Sequence, residues 1–97
     1  MRAYELYIVF SAEAEEDDVG TALDQLTQAI SADGGEVTKV EPRGKRRLAY
    51  PVRNQHEAQD VILYFQAQPP TIVELERLLK LNEQALRYLV VRLTDEA

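Results

Sequence analysis

The residues best suited to chemistry in this sequence are cations and phenols. Lys39, Arg43, Lys45, Arg46, Arg47 and Arg53 put six of the eleven Lys and Arg residues between positions 39 and 53. Five tyrosines accompany them, at positions 4, 7, 50, 64 and 88. A guanidinium grips a phosphate or carboxylate through two parallel hydrogen bonds, and a phenol ring can lie against a base or a ribose. The plainer role for such charges is to guard a strand edge, whose unpaired N–H and C=O groups otherwise recruit other chains. Six cations within so short a stretch exceed what guarding needs. Catalytic sets are missing: there is one histidine, His56, in a polar stretch, and no cysteine to complete a site with it. No H-E-x-x-H, P-loop, G-x-S-x-G or G-x-G-x-x-G pattern occurs. The acidic block Glu13, Glu15, Glu16, Asp17 and Asp18 lacks the alternating ligands and turn glycine of a calcium loop and reads as a solvated helix start. We therefore expect no enzyme, metal, cofactor or small-molecule substrate.

Composition sets the frame for these residues. A chain of 97 residues fits one domain and buries about two-thirds of its unfolded surface. The absence of cysteine suits a reducing compartment, and the longest apolar run, Leu6 to Phe10, is far below the roughly 20 residues of a membrane span. No signal-peptide pattern opens the sequence, so a cytoplasmic protein without membrane association is expected. A net charge of −6 argues against indiscriminate binding to polyanions, although cations gathered in one stretch can give an acidic protein one cationic face.

The elements that must position the cations follow from periodicity. Residues 3–10 alternate as a strand, with Leu6, Ile8 and Phe10 on one side and Ala3, Glu5, Tyr7 and Val9 on the wetter other. A helix is expected from about Glu15 to Ala32, its stripe formed by Val19, Ala22, Leu23, Leu26 and Ile30, with Gly34 and Gly35 as the stop. A second strand runs from Glu36 to Val40 and, past a bend at Pro42 and Gly44, on to Val52. The polar stretch 53–59 predicts a loop, and Asp60 to Gln68 a third strand that Pro69 and Pro70 end. Thr71 and Glu74 match a capping box opening a helix to about Asn82. A last strand covers Leu86 to Leu93, and residues 94–97 are expected to fray. The order β-α-β-β-α-β defines an α+β, ferredoxin-like fold: a four-stranded antiparallel sheet with both helices on one face, the first and third strands central. The other face, carrying Tyr7, Ile62, Tyr64, Leu89 and Val91, should be uncovered and apolar enough to want a partner.

The segments M-R-A-Y-E-L-Y-I-V, G-G-E-V-T-K-V-E-P-R-G-K-R-R-L-A-Y-P-V and L-R-Y-L-V-V-R-L resemble the sixth protein of the bacterial small ribosomal subunit, with matching element order from Met1 to about Leu93. The resemblance implies a ribosomal structural protein that binds the central domain of the small-subunit ribosomal RNA as a heterodimer with the eighteenth small-subunit protein. Carried over by position, it makes Arg2, Tyr4, Arg46, Arg47, Tyr50, Arg87 and Arg92 candidate contacts. Charge and edge geometry then assign Arg2, Tyr4, Tyr50, Arg87 and Arg92 to the RNA, and Arg46 and Arg47, with Glu41 and Tyr64, to the partner protein.

Two other functions are compatible with the fold. Small acyl-phosphate hydrolases share it, but here the first strand-to-helix connection, S-A-E-A-E-E, is acidic and would repel phosphate. A general RNA-recognition module would stack single-stranded bases on Tyr7 and Tyr64, yet the third strand lacks the K/R-G-F/Y-G/A-F-V-x-F/Y pattern.

Overall fold

The structure, a computed structural model, describes residues 1–93. The expectation for positions 94–97 lies outside the described residues. The elements are β1 (Arg2–Ser11), α1 (Glu16–Ala32), β2 (Glu36–Val52), β3 (Gln55–Ala67), α2 (Pro69–Leu81) and β4 (Ala85–Arg92). The four strands form one antiparallel sheet in the order β2-β3-β1-β4, so β1 and β3 are central and β2 and β4 are edges, as the connectivity requires.

One face of the sheet makes the core. Leu6, Ile8 and Phe10 of β1 and Val61, Leu63, Phe65 and Ala67 of β3 pack against Ala22, Leu26 and Ile30 of α1 and Leu75 and Leu79 of α2. α1 starts at Glu15, whose backbone N–H donates to the Asp18 carboxylate at 3.3 Å, and Glu16, Asp17 and Asp18 line its positive end. It stops in a Schellman arrangement: the Gly35 N–H reaches the Ile30 carbonyl and the Gly34 N–H that of Ser31. Gly34 takes the left-handed conformation this needs, at φ +84°.

Two expectations are corrected. Pro69 and Pro70 open α2, where their missing N–H groups leave nothing unsatisfied, and Gln68 is the N-cap. Thr71 is therefore not a cap. It is fully buried and its hydroxyl donates to the Asp33 carboxylate at the end of α1, at 3.0 Å, tying the two helices together. Residues 55–59 are strand rather than loop. Arg53 (φ 49°) and Asn54 (φ 65°) both lie in the left-handed region and form a two-residue turn of the kind whose twist suits a hairpin. β2 and β3 thus run on past the end of β1, where Ser11 pairs with Ala58, as a two-stranded ribbon.

Candidate nucleic-acid and protein interface

The ribbon carries the basic cluster, and its register sorts the cations by face. Gly44 lies opposite Asp60 and Arg46 opposite Ala58, whereas Lys45 lies opposite Gln59 and Arg47 opposite Glu57. Because successive side chains alternate, Arg46 belongs to the helix-free face and Lys45 and Arg47 to the helix side. Shifts in register between Val37 and Lys39 and between Pro42 and Gly44 twist this edge. Lys45 lines one groove with Glu13, Glu15, Glu16 and Asp17, so the acidic block and the basic cluster, distant in sequence, share a surface.

The helix-free face is only partly open. The end of the ribbon bends over it, and Leu48, Ala49, Tyr50 and Val52 enclose a cavity of about 340 Å³ against Tyr7, Val9, Arg87 and Leu89. Val9, which lines that cavity, and Asp60, beside Tyr7 and Arg46, are both on this face by register and both buried. Leu89 and Val91 stay exposed, while Tyr7, Ile62 and Tyr64 are half-buried. The Tyr7 hydroxyl donates to Asp60 Oδ2 at 2.7 Å, and Arg46 Nε lies 3.8 Å from Asp60 Oδ1. Partial burial, the bond to Asp60 and that carboxylate's charge raise the Tyr7 pKa above the ordinary 10.0, with Arg43 and Arg46 pulling the other way. Tyr64 is also shifted upward, by burial and by the carboxylates of Glu5 and Glu41.

Apart from Arg46 and Arg47 on the ribbon, and Tyr4, the expected site residues fall into three groups. Tyr50, 67% exposed, and Arg87 meet at the same cavity. Glu41 and Tyr64 form a second group around Lys39, whose ammonium is 3.2 Å from the Glu41 carboxylate and 5.7 Å from the centre of the Tyr64 ring. Arg2 and Arg92 are exposed at the other end of the sheet, about 30 Å from the ribbon along β1. Tyr4 is a correction. The alternation that turns Leu6, Ile8 and Phe10 inward turns Tyr4 inward too. It is 6% exposed, its ring stacked on Phe65 with centroids 5.5 Å apart, and has no free ring face to offer a base. Sequence reasoning passed over Asp60, a buried acid just ahead of the apolar half of β3, and gave no role to Arg43, whose positive charge at the bulge acts on Tyr7. The acid breaking the D-V-I-L-Y-F run was the available signal, but its partners depend on register.

A four-stranded antiparallel sheet with two helices on one face and a charged two-stranded ribbon define a small α+β domain of ferredoxin-like topology. The family model described as ribosomal protein S6 matches residues 3–92. Small ribosomal subunit protein bS6 of Moorella thermoacetica is 39% identical over 97 residues, covering 100% of this chain and 99% of that protein. The bS6 of Acidothermus cellulolyticus is 41% identical over 92 residues, covering 95% and 96%. Among solved structures, the 30S ribosomal protein S6 of Thermotoga maritima superposes with a TM-score of 0.86 at 23% identity, over 94% of this chain and 86% of that one, a likeness of fold. The chain belongs to the ribosomal protein S6 family. It is a structural protein of the ribosome's small subunit and not an enzyme.

Proposed function

We propose that this protein binds the central domain of the small-subunit ribosomal RNA as a heterodimer with the eighteenth small-subunit protein, in the cytoplasm. The observation that carries the reading is membership in the ribosomal protein S6 family over residues 3–92, on a chain that gathers five of its eleven Lys and Arg residues on one ribbon. Arg2, Arg87 and Arg92 neutralise phosphates, and Tyr50, the most exposed tyrosine, lies against a sugar or base. Glu41, Arg46, Arg47 and Tyr64 face the partner protein along β2 and its neighbour β3. A chain of net charge −6 holds RNA weakly by itself. A basic partner supplies the missing charge and contact area, so the pair binds where neither suffices.

The test is calorimetry with the purified eighteenth protein, followed by titration of the pair onto a central-domain RNA fragment. Reversing charge at Arg46 and Arg47 together should weaken partner binding by about tenfold or more. Unchanged affinity removes those residues from the contact. Failure of the wild-type chain to bind either component removes the reading as a whole.

A further inference from the structure

Besides the phenol of Tyr4, the buried polar side chains among the described residues are Ser11, Asp60 and Thr71, and of these only Asp60 is an acid. Ser11 and Thr71 have hydrogen-bond partners in Gln55 and Asp33. Asp60 is incompletely held. Its Oδ2 accepts the Tyr7 hydroxyl, but its Oδ1 is buried with no hydrogen-bond partner. Arg46 Nε, at 3.8 Å, is within ion-pair range of that oxygen and beyond hydrogen-bond range. A half-satisfied buried carboxylate is costly, and an apolar side chain would serve packing better at this site. The acid is also the fixed member of the pair. It sits on a central strand with one oxygen pinned, 4% exposed, whereas the Arg46 side chain is on the edge strand and 52% exposed.

We propose that Asp60, pinned by the Tyr7 hydroxyl, is a positioning residue for docking: it draws the Arg46 guanidinium onto the helix-free face and leaves an Nη group there for a partner. The closest approach of the pair is through Nε, which leaves the terminal nitrogens available to a partner. Arg43, Lys45, Arg47 and Arg53 have no ion-pair partner within 4.0 Å among the described residues and are the ribbon's untethered cations. When a partner covers the face and displaces water, the gap between Arg46 and Oδ1 closes and the orphaned oxygen acquires its hydrogen bond. Docking and the Arg46–Asp60 pair therefore strengthen each other.

This rests on the reading that the ribbon docks onto the eighteenth protein, and two measurements separate the claims. The first needs no partner: nitrogen relaxation of the arginine Nε–Hε groups in the free protein. Arg46 should be more ordered than Arg47, and Asp60→Asn or Tyr7→Phe should loosen Arg46 while leaving Arg47 unchanged. An Arg46 as mobile as Arg47 in the wild type overturns the proposal. The second is a double-mutant cycle in binding to the purified eighteenth protein. Asp60→Asn should weaken wild-type binding by about tenfold and the Arg46→Ala variant by less than about twofold. Effects that simply multiply overturn the proposal. Tyr7→Phe removes the pin but retains the carboxylate and its charge, and should give a smaller loss that also vanishes on the Arg46→Ala background. A wild type that binds no partner defeats the docking reading alone, and the relaxation comparison still decides whether Asp60 positions Arg46.

Discussion

Tyr7 holds its proton to higher pH than a tyrosine in water, because burial and the Asp60 carboxylate disfavour the phenolate more than Arg43 and Arg46 favour it. A folded-state pKa above the unfolded 10.0 means the folded chain keeps a proton that the unfolded chain gives up. The resulting stability is complete below about pH 10 and is lost as pH rises through the folded value. Urea midpoints measured from pH 9 to 11 should therefore fall more steeply for the wild type than for Tyr7→Phe, and parallel curves would show that Tyr7 is not shifted. At this scale the sequence was legible wherever alternation alone decides. Leu6, Ile8 and Phe10 are in the core as their spacing demands, and the same rule places Tyr4 beside them. The resemblance makes Tyr4 an RNA contact, whereas parity with Leu6, Ile8 and Phe10 puts it in the core. Asp60 was invisible for a different reason: its meaning lies in Tyr7 and Arg46, residues 53 and 14 positions away that only the sheet register brings together.

At the scale of elements, four strands, two helices and their order could be read from periodicity, and the boundaries that failed did so for local reasons. Arg53–Asn54 contains no glycine, so only Asn54 hinted at a turn with two left-handed residues, and the polar residues after it looked like a loop. The two prolines ended β3 and also opened α2, a double role that a capping box at Thr71 obscured. Gly20 inside α1 and Gly35 at its exit make a sharp comparison. Gly20 lies inside the helix with open space where a Cβ would go, so Gly20→Ala should stabilise the fold by about 0.5–1 kcal/mol through helix propensity. Gly35 has no such room. A Cβ there would collide with the Gln66 carbonyl of β3 and with Ile30, so Gly35→Ala should destabilise by about 1–3 kcal/mol. Thermal or urea unfolding of the two variants checks both signs. A neutral Gly35→Ala would mean that α1 can move away from β3 at little cost.

The whole molecule divides its work between a core and a projection. The buried core cluster draws on β1, α1, β3 from Val61 onward, α2 and β4, and takes no residue from the ribbon between Arg43 and Gln59. The ribbon instead holds most of the clustered cations and places Tyr50 over the helix-free face. Stability and binding should therefore be separable. Replacing Leu48–His56 by Asn-Gly would close the hairpin directly on the Arg47–Glu57 pair with a turn suited to strand twist. The shortened chain loses the partly buried Leu48 and Val52, a cost of about 2 kcal/mol, and should still fold as one unit with its sheet intact. It keeps Arg46 and Arg47 but loses Tyr50 and the cavity wall. Its affinity for the central-domain RNA fragment, measured with the eighteenth protein present, should fall by about tenfold, the scale of one lost stacking contact. Removing one aromatic contact and a single cation, Arg53, should lower the slope of log affinity against log salt by no more than about one unit. If the shortened chain instead failed to fold, the ribbon would be part of the folding unit and the division between core and projection would be wrong.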